Sequence, residues 1–117
     1  TAIGWHPDEM ERYGTIQYDA WMTVQRGHAV ANGIYVAACN RIGLEQPVKD
    51  SPGIRFWGSS FIAGPQGEIL ALASHDKEEI VIAEVDLALI ETVRRNWPFF
   101  RDRRIDAYDG ILKRMGK

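Results

Sequence analysis

Between Gly33 and Asn40 runs Ile34-Tyr35-Val36-Ala37-Ala38-Cys39, an uninterrupted apolar segment too short for a helix. Such a run reads as a strand buried on both faces, and strands of that kind belong to sheets covered by helices on each side. A second run, Glu79 to Asp86 with Ile80-Val81-Ile82-Ala83 at its centre, reads the same way. Together they put the chain in the α/β class. Two doubly covered strands demand more layers than 117 residues supply beside their other elements, so the sheet is expected to continue into residues outside this chain.

The remaining elements follow from periodicity and turn chemistry. Thr1-Ala2-Ile3-Gly4 reads as the end of a strand and Trp5 to Glu9, interrupted by Pro7, as a loop. From Thr15 to Asn32 the residues Ile16, Ala20, Trp21, Val24 and Ala31 recur at helical spacing, and Gly33 supplies the stop. Gln46 to Gly53 is a surface loop. Phe56 to Ala63 is a strand with Gly58, Ser59 and Ser60 in its middle; Gly64-Pro65-Gln66-Gly67 turns it into a hairpin with Glu68 to Ser74. After a turn at His75 to Glu78 and the strand to Asp86, that aspartate caps a helix from Leu87 to Arg95 with Leu89, Ile90 and Val93 inward. A basic, aromatic stretch from Asn96 to Arg104 and a short helix from Ile105 to Met115 complete one domain without repeats or linkers.

Fourteen basic residues against sixteen acidic ones, a net charge of −2, exclude a strongly electrostatic nucleic-acid binder and a polybasic membrane-surface protein. A single cysteine excludes an internal disulfide and every multi-cysteine zinc site. No apolar run approaches the ~18 residues of a membrane helix, and a cytoplasmic location is expected. Cys39, ending an apolar strand, is expected to be buried and slow to alkylate rather than nucleophilic. His6, His28 and His75 offer no metal-ligand spacing, and His28, on the helix face of Val24 and Ala31, reads as a core histidine. Gly58, Gly64 and Gly67 fall within a strand and its hairpin, not between strand and helix, so they make no phosphate cradle. Arg94-Arg95 and Arg101-Asp102-Arg103-Arg104 are interleaved with acids and point to ion pairs. No catalytic set emerges from these residues.

Taken together, several segments resemble the C-terminal part of the nitrilase (carbon–nitrogen hydrolase) superfamily: Thr1-Ala2-Ile3-Gly4, Gln25 to Gly33, Asn40-Arg41-Ile42-Gly43, Phe56 to Ile62 with the Gly64–Gly67 turn, Asp76-Lys77-Glu78-Glu79, and Arg101-Asp102-Arg103-Arg104. The resemblance is closest to the N-carbamoylputrescine amidases and covers nearly the whole chain. It implies the C-terminal part of an αββα sandwich over residues 1–117, with residues 96–117 an extension at a subunit interface of a homo-oligomer. It also implies that the catalytic Glu, Lys and Cys lie upstream of this chain, which holds no catalytic residue, and that no cofactor or metal takes part. The implied small-molecule partner is a carbamoylated amine, with no nucleic acid or membrane as partner. Thr1, Ala2 and Ile3 come at the strand end beside the family's pocket. An aliphatic cation there suits an aromatic wall and a carboxylate, for which Trp5 and Glu9, with Asp8 beside it, are the right types. Asn40, Arg41, Ser59 and Ser60 are expected to hydrogen-bond within the core. A β-ureido acid, an ω-amide, or a non-catalytic assembly role for the same half-fold are the alternatives.

Overall fold

The computed structural model describes residues 2–114. Its longest element, α1, spans Pro7–Asn32. It begins earlier than the apolar periodicity implies because His6 and Pro7 start it. The His6 ring accepts from the Asp8 amide, and Pro7 sits where no intrahelical N–H is needed. Asp8 and Glu9 in the first turn complement the helix dipole. Gly33 closes the helix in the left-handed conformation (φ 55°), its N–H reaching the Ala29 and Val30 carbonyls.

Among the described residues six short strands form two antiparallel three-stranded sheets. One has the order β1 (Gly4–Trp5), β4 (Ile54–Trp57), β3 (Ile42–Glu45); the other β2 (Val36–Ala38), β5 (Phe61–Ala63), β6 (Ile69–Leu72). The expected strand from Phe56 to Ala63 is therefore two strands in different sheets. Gly58 (φ 60°) and Ser59 (φ 57°) are both left-handed, which breaks the extended path. A Cβ at Gly58 would lie 2.6 Å from the Ser74 carbonyl oxygen, so only glycine fits. The β5–β6 hairpin forms as expected, pairing Phe61 with Leu72, with a bulge at Ile62/Ala63. Asp86 caps α2 (Leu87–Asn96) by accepting from the Ala88 amide at 2.8 Å.

The core is small. Ala29, Phe61 and Ala63 are buried, with Trp21, Met22, Val36, Ala38 and Ile69 packed on them. Beside it Trp57, 1% exposed, meets Trp5, Tyr18 and Trp21 at ring distances of 4.9, 6.1 and 6.0 Å.

Five further expectations are corrected. Of the residues that announce α1, only Trp21 packs on the core; Ile16 is 67% and Val24 55% exposed, Ala20 and Ala31 are exposed, and Tyr18, Met22 and Ala29 join Trp21 on the packed side. His28 is accordingly exposed and not a core residue. Cys39 is exposed too; it lies just past the end of β2, an edge strand of its sheet. Glu79 to Asp86 forms no strand: no segment among the described residues pairs with it. Near the C-terminus the described residues form a 3-10 turn, Asp109–Leu112, where a helix to Met115 is expected; Gly110 weakens a helix, and Ile111 and Leu112 stand exposed. Met115 itself lies outside the described residues.

Candidate functional site

At one end of the two sheets the chain passes three times through a small region: at Ile3 before β1, at Asn40–Arg41 between β2 and β3, and at Gly58–Ser60 between β4 and β5. Asn40 joins them. Its Oδ1 accepts from the Ile3 and Arg41 amides, both at 2.9 Å; its Nδ2 donates to the Ile3 carbonyl at 3.0 Å and the Gly58 carbonyl at 2.9 Å. The side-chain amide thus fills its whole bonding capacity and takes both backbone groups of Ile3, as a neighbouring strand would. Ser60 holds Asn40 from behind, its Oγ accepting from the Asn40 amide and donating to the Asn40 carbonyl.

The same corner contains a pair that residue spacing does not reveal. Ser59 Oγ lies 2.9 Å from Nδ1 of His75, and that nitrogen lies 3.1 Å from the Trp57 carbonyl. Ser59 Oγ also donates to the Trp57 carbonyl at 3.3 Å, so serine, histidine and carbonyl close on one another. Ser59 is 1% exposed. The pair is a structural latch between β4 and the turn after β6, not a nucleophile and its base. That turn is closed from the other side by Glu79, which accepts from the Ser74 amide. Bonds from the Ser74 hydroxyl and amide hold the Glu79 carboxyl below the usual carboxylate range. Between these groups lies an open depression of about 320 Å³ lined by Asn40, Arg41, Ser59, Ser60, Ser74 and Lys77, among others. Arg41 is ion-paired with Glu45 and stacked on Phe56, 4.9 Å from the ring centroid.

Of the expected substrate-binding residues, Thr1 lies outside the described residues. Ala2 is exposed at the strand end that Asn40 holds, and Ile3 is half-buried there. Trp5 donates its indole N–H to the Gly14 carbonyl at 3.0 Å and lies against Trp57, its ring bordering a depression shared with Met10, Tyr18 and His75. Ile3 borders a different depression, with Ala20, Val24 and Trp57. Glu9 stands exposed on the first turn of α1 and borders neither. Asn40, Ser59 and Ser60 bond within the fold, as expected.

Residues 3–95 match the carbon–nitrogen hydrolase family. The chain belongs to that family. It is 42% identical over 118 residues to an N-carbamoylputrescine amidase of Arabidopsis thaliana, covering 99% of this chain and 38% of that protein. To the chloroplastic omega-amidase of the same plant it is 42% identical over 89 residues, 75% of this chain and 22% of that protein. The crystal structure of a carbon–nitrogen hydrolase from Helicobacter pylori G27 superposes with a TM-score of 0.91 at 49% identity, covering 99% of this chain and 40% of that one. The chain therefore spans about two-fifths of the length of its near-full-coverage relatives. The mixed α/β class is that of the carbon–nitrogen hydrolases, and these, with their amidase-named members, are enzymes of the hydrolase class. No helix among the described residues is long and apolar enough to cross a membrane.

Proposed function

We propose that this chain is the C-terminal part of a carbon–nitrogen hydrolase that cleaves N-carbamoylputrescine to putrescine, carbon dioxide and ammonia. The observation that carries this reading is the 42% identity to the Arabidopsis N-carbamoylputrescine amidase, sustained over 99% of the chain. In this reading a cysteine thiolate upstream of the chain attacks the carbamoyl carbon, a glutamate acts as base and a lysine stabilises the oxyanion. Thiolates suit the task because they are strong nucleophiles and form an acyl intermediate that water then cleaves. The chain's own contribution is shape. Asn40 fixes Ile3, and with it the strand end, at the pocket rim; Trp5 offers an aromatic face and Glu9 a carboxylate to the distal ammonium.

Arg41 favours an amine over a carboxylate-bearing substrate. A β-ureido acid or an ω-amide acid needs a free cation, and this guanidinium is already engaged by Glu45 and Phe56. The same reading puts residues 96–117 at a subunit interface of a homo-oligomer, where Phe100 is clasped between Arg94 and Arg103, 5.3 and 5.0 Å from its ring centroid.

The test is a graft. Replacing the matching segment of the Arabidopsis N-carbamoylputrescine amidase with this chain is expected to retain ammonia release from N-carbamoylputrescine within about tenfold in kcat/KM. The equivalent graft from the omega-amidase serves as control and is expected to lose it. A folded graft of this chain that cleaves an ω-amide but not N-carbamoylputrescine overturns the reading.

A further inference from the structure

Ser59 combines two properties that rarely coincide: its side chain is buried, 1% exposed, and its backbone is left-handed, φ 57°, directly after the left-handed Gly58. A residue other than glycine keeps that conformation only where its surroundings hold it there. Two sets of bonds do so. From one side, the Ser59 amide donates to the Ser74 carbonyl at 3.0 Å and its Oγ meets Nδ1 of His75 at 2.9 Å, the nitrogen that also meets the Trp57 carbonyl. From the other, both neighbours of Ser59 are tied to Asn40. The Gly58 carbonyl accepts from Asn40 Nδ2, and Ser60 Oγ accepts from the Asn40 amide, both at 2.9 Å. Asn40 in turn holds both backbone groups of Ile3, while Trp5 rests on Trp57 with ring centroids 4.9 Å apart. Two of the residues expected at the pocket rim, Ile3 and Trp5, therefore stand on residues 57–60, whose path Ser59 sets.

We propose that His75 is a positioning residue for the pocket rim: by holding Ser59 in its left-handed conformation it keeps the Asn40 clamp closed on Ile3 and Trp57 in place beneath Trp5. It acts through Nδ1, on the protein and not on the substrate. The meaning of the rim rests on the proposed amidase reading; the link from His75 to Ile3 does not. His75 also borders the depression beside Trp5, so the test separates action through Ser59 from direct contact with a ligand. Asparagine places a polar atom where Nδ1 stands, and glutamine where the outer ring nitrogen, Nε2, stands.

The test compares His75→Ala, His75→Asn and His75→Gln by amide hydrogen exchange in the chain and by kinetics in the amidase graft. In His75→Ala the Ile3 and Asn40 amides are expected to exchange roughly tenfold faster. The Gly64 amide, bonded to the Glu68 carbonyl in the hairpin beyond, is expected to keep its rate. In the graft the KM for N-carbamoylputrescine is expected to rise roughly tenfold with kcat held within about threefold, whereas simple loss of folded enzyme lowers kcat and leaves KM alone. His75→Asn is expected to restore both readouts and His75→Gln neither. Should His75→Ala unfold, which would speed Gly64 as well, the asparagine and glutamine variants decide. An Ile3 amide indifferent to His75, rescue by glutamine and not by asparagine, or a fall in kcat at constant KM overturns the proposal. A graft that leaves N-carbamoylputrescine intact, in a chain whose Ile3 amide still answers to His75, counts against the proposed function and leaves the positioning role standing.

Discussion

Asn40 has four hydrogen-bonding sites on its side-chain amide, and each meets a backbone group, two of them on a residue 37 positions away. Asn40→Asp keeps the shape but replaces two donors with an acceptor facing the Ile3 and Gly58 carbonyls. It is expected to cost about 2 kcal/mol in urea unfolding, well beyond a surface substitution. Cys39 is expected to react with a mild alkylating agent in the folded state at a rate near that of a free thiol, because it is exposed. Glu79 gives a pH prediction. Its folded carboxyl sits below the ordinary value of 4.5, so its stabilising contact with Ser74 is complete above that value and is lost as pH falls through the folded one. Protection of the Ser74 amide should fall along that acid limb, and Glu79→Gln should flatten the response. The chemical type of these residues is legible in the sequence; their partners are not. Nothing local tells Asn40 that Ile3 will arrive beside it, and the left-handed Ser59 that brings His75 into range depends on a close approach to Ser74 made by another segment.

Helix α1 is legible because Gly33 ends it and its apolar residues recur at helical spacing, but the side it packs with is not. Of the spaced apolar residues only Trp21 faces inward, and the packed side is completed by Tyr18, Met22 and Ala29. Ile16→Lys is therefore expected to change stability by less than about 0.5 kcal/mol, and Phe61→Ala, at the contact with Trp21, to cost about 3–4 kcal/mol, both by thermal or urea unfolding. Gly33→Ala is expected to cost about 1 kcal/mol because alanine resists the left-handed cap. The β5–β6 hairpin was readable from the Gly64–Gly67 turn. The strand β3 was not, since Ile42-Gly43-Leu44-Glu45 is short and carries a glycine with φ of 83°. Residues 79–86 show the converse: the pattern of a strand is fully present, and what is absent from the described residues is a neighbour. Local sequence sets the pattern; pairing requires a second segment at the right distance.

At the scale of the whole molecule, the dimensions of 53 × 46 × 22 Å describe a plate. The α/β class was readable because helical and strand periods alternate along the chain, but the double covering expected of Val36 and Val81 was not met, since both are only half-buried. A plate this thin has a further consequence for how its parts are guarded against water. In a thick protein, depth alone shelters backbone amides, and slow hydrogen exchange marks the centre. Here few positions are deep, so protection has to come from the ladders and from α1, residue by residue. An exchange map of this chain should read as a drawing of its hydrogen bonds, with the slowest amides where Phe61 and Ala63 face their strand partners and a fast line along residues 79–86.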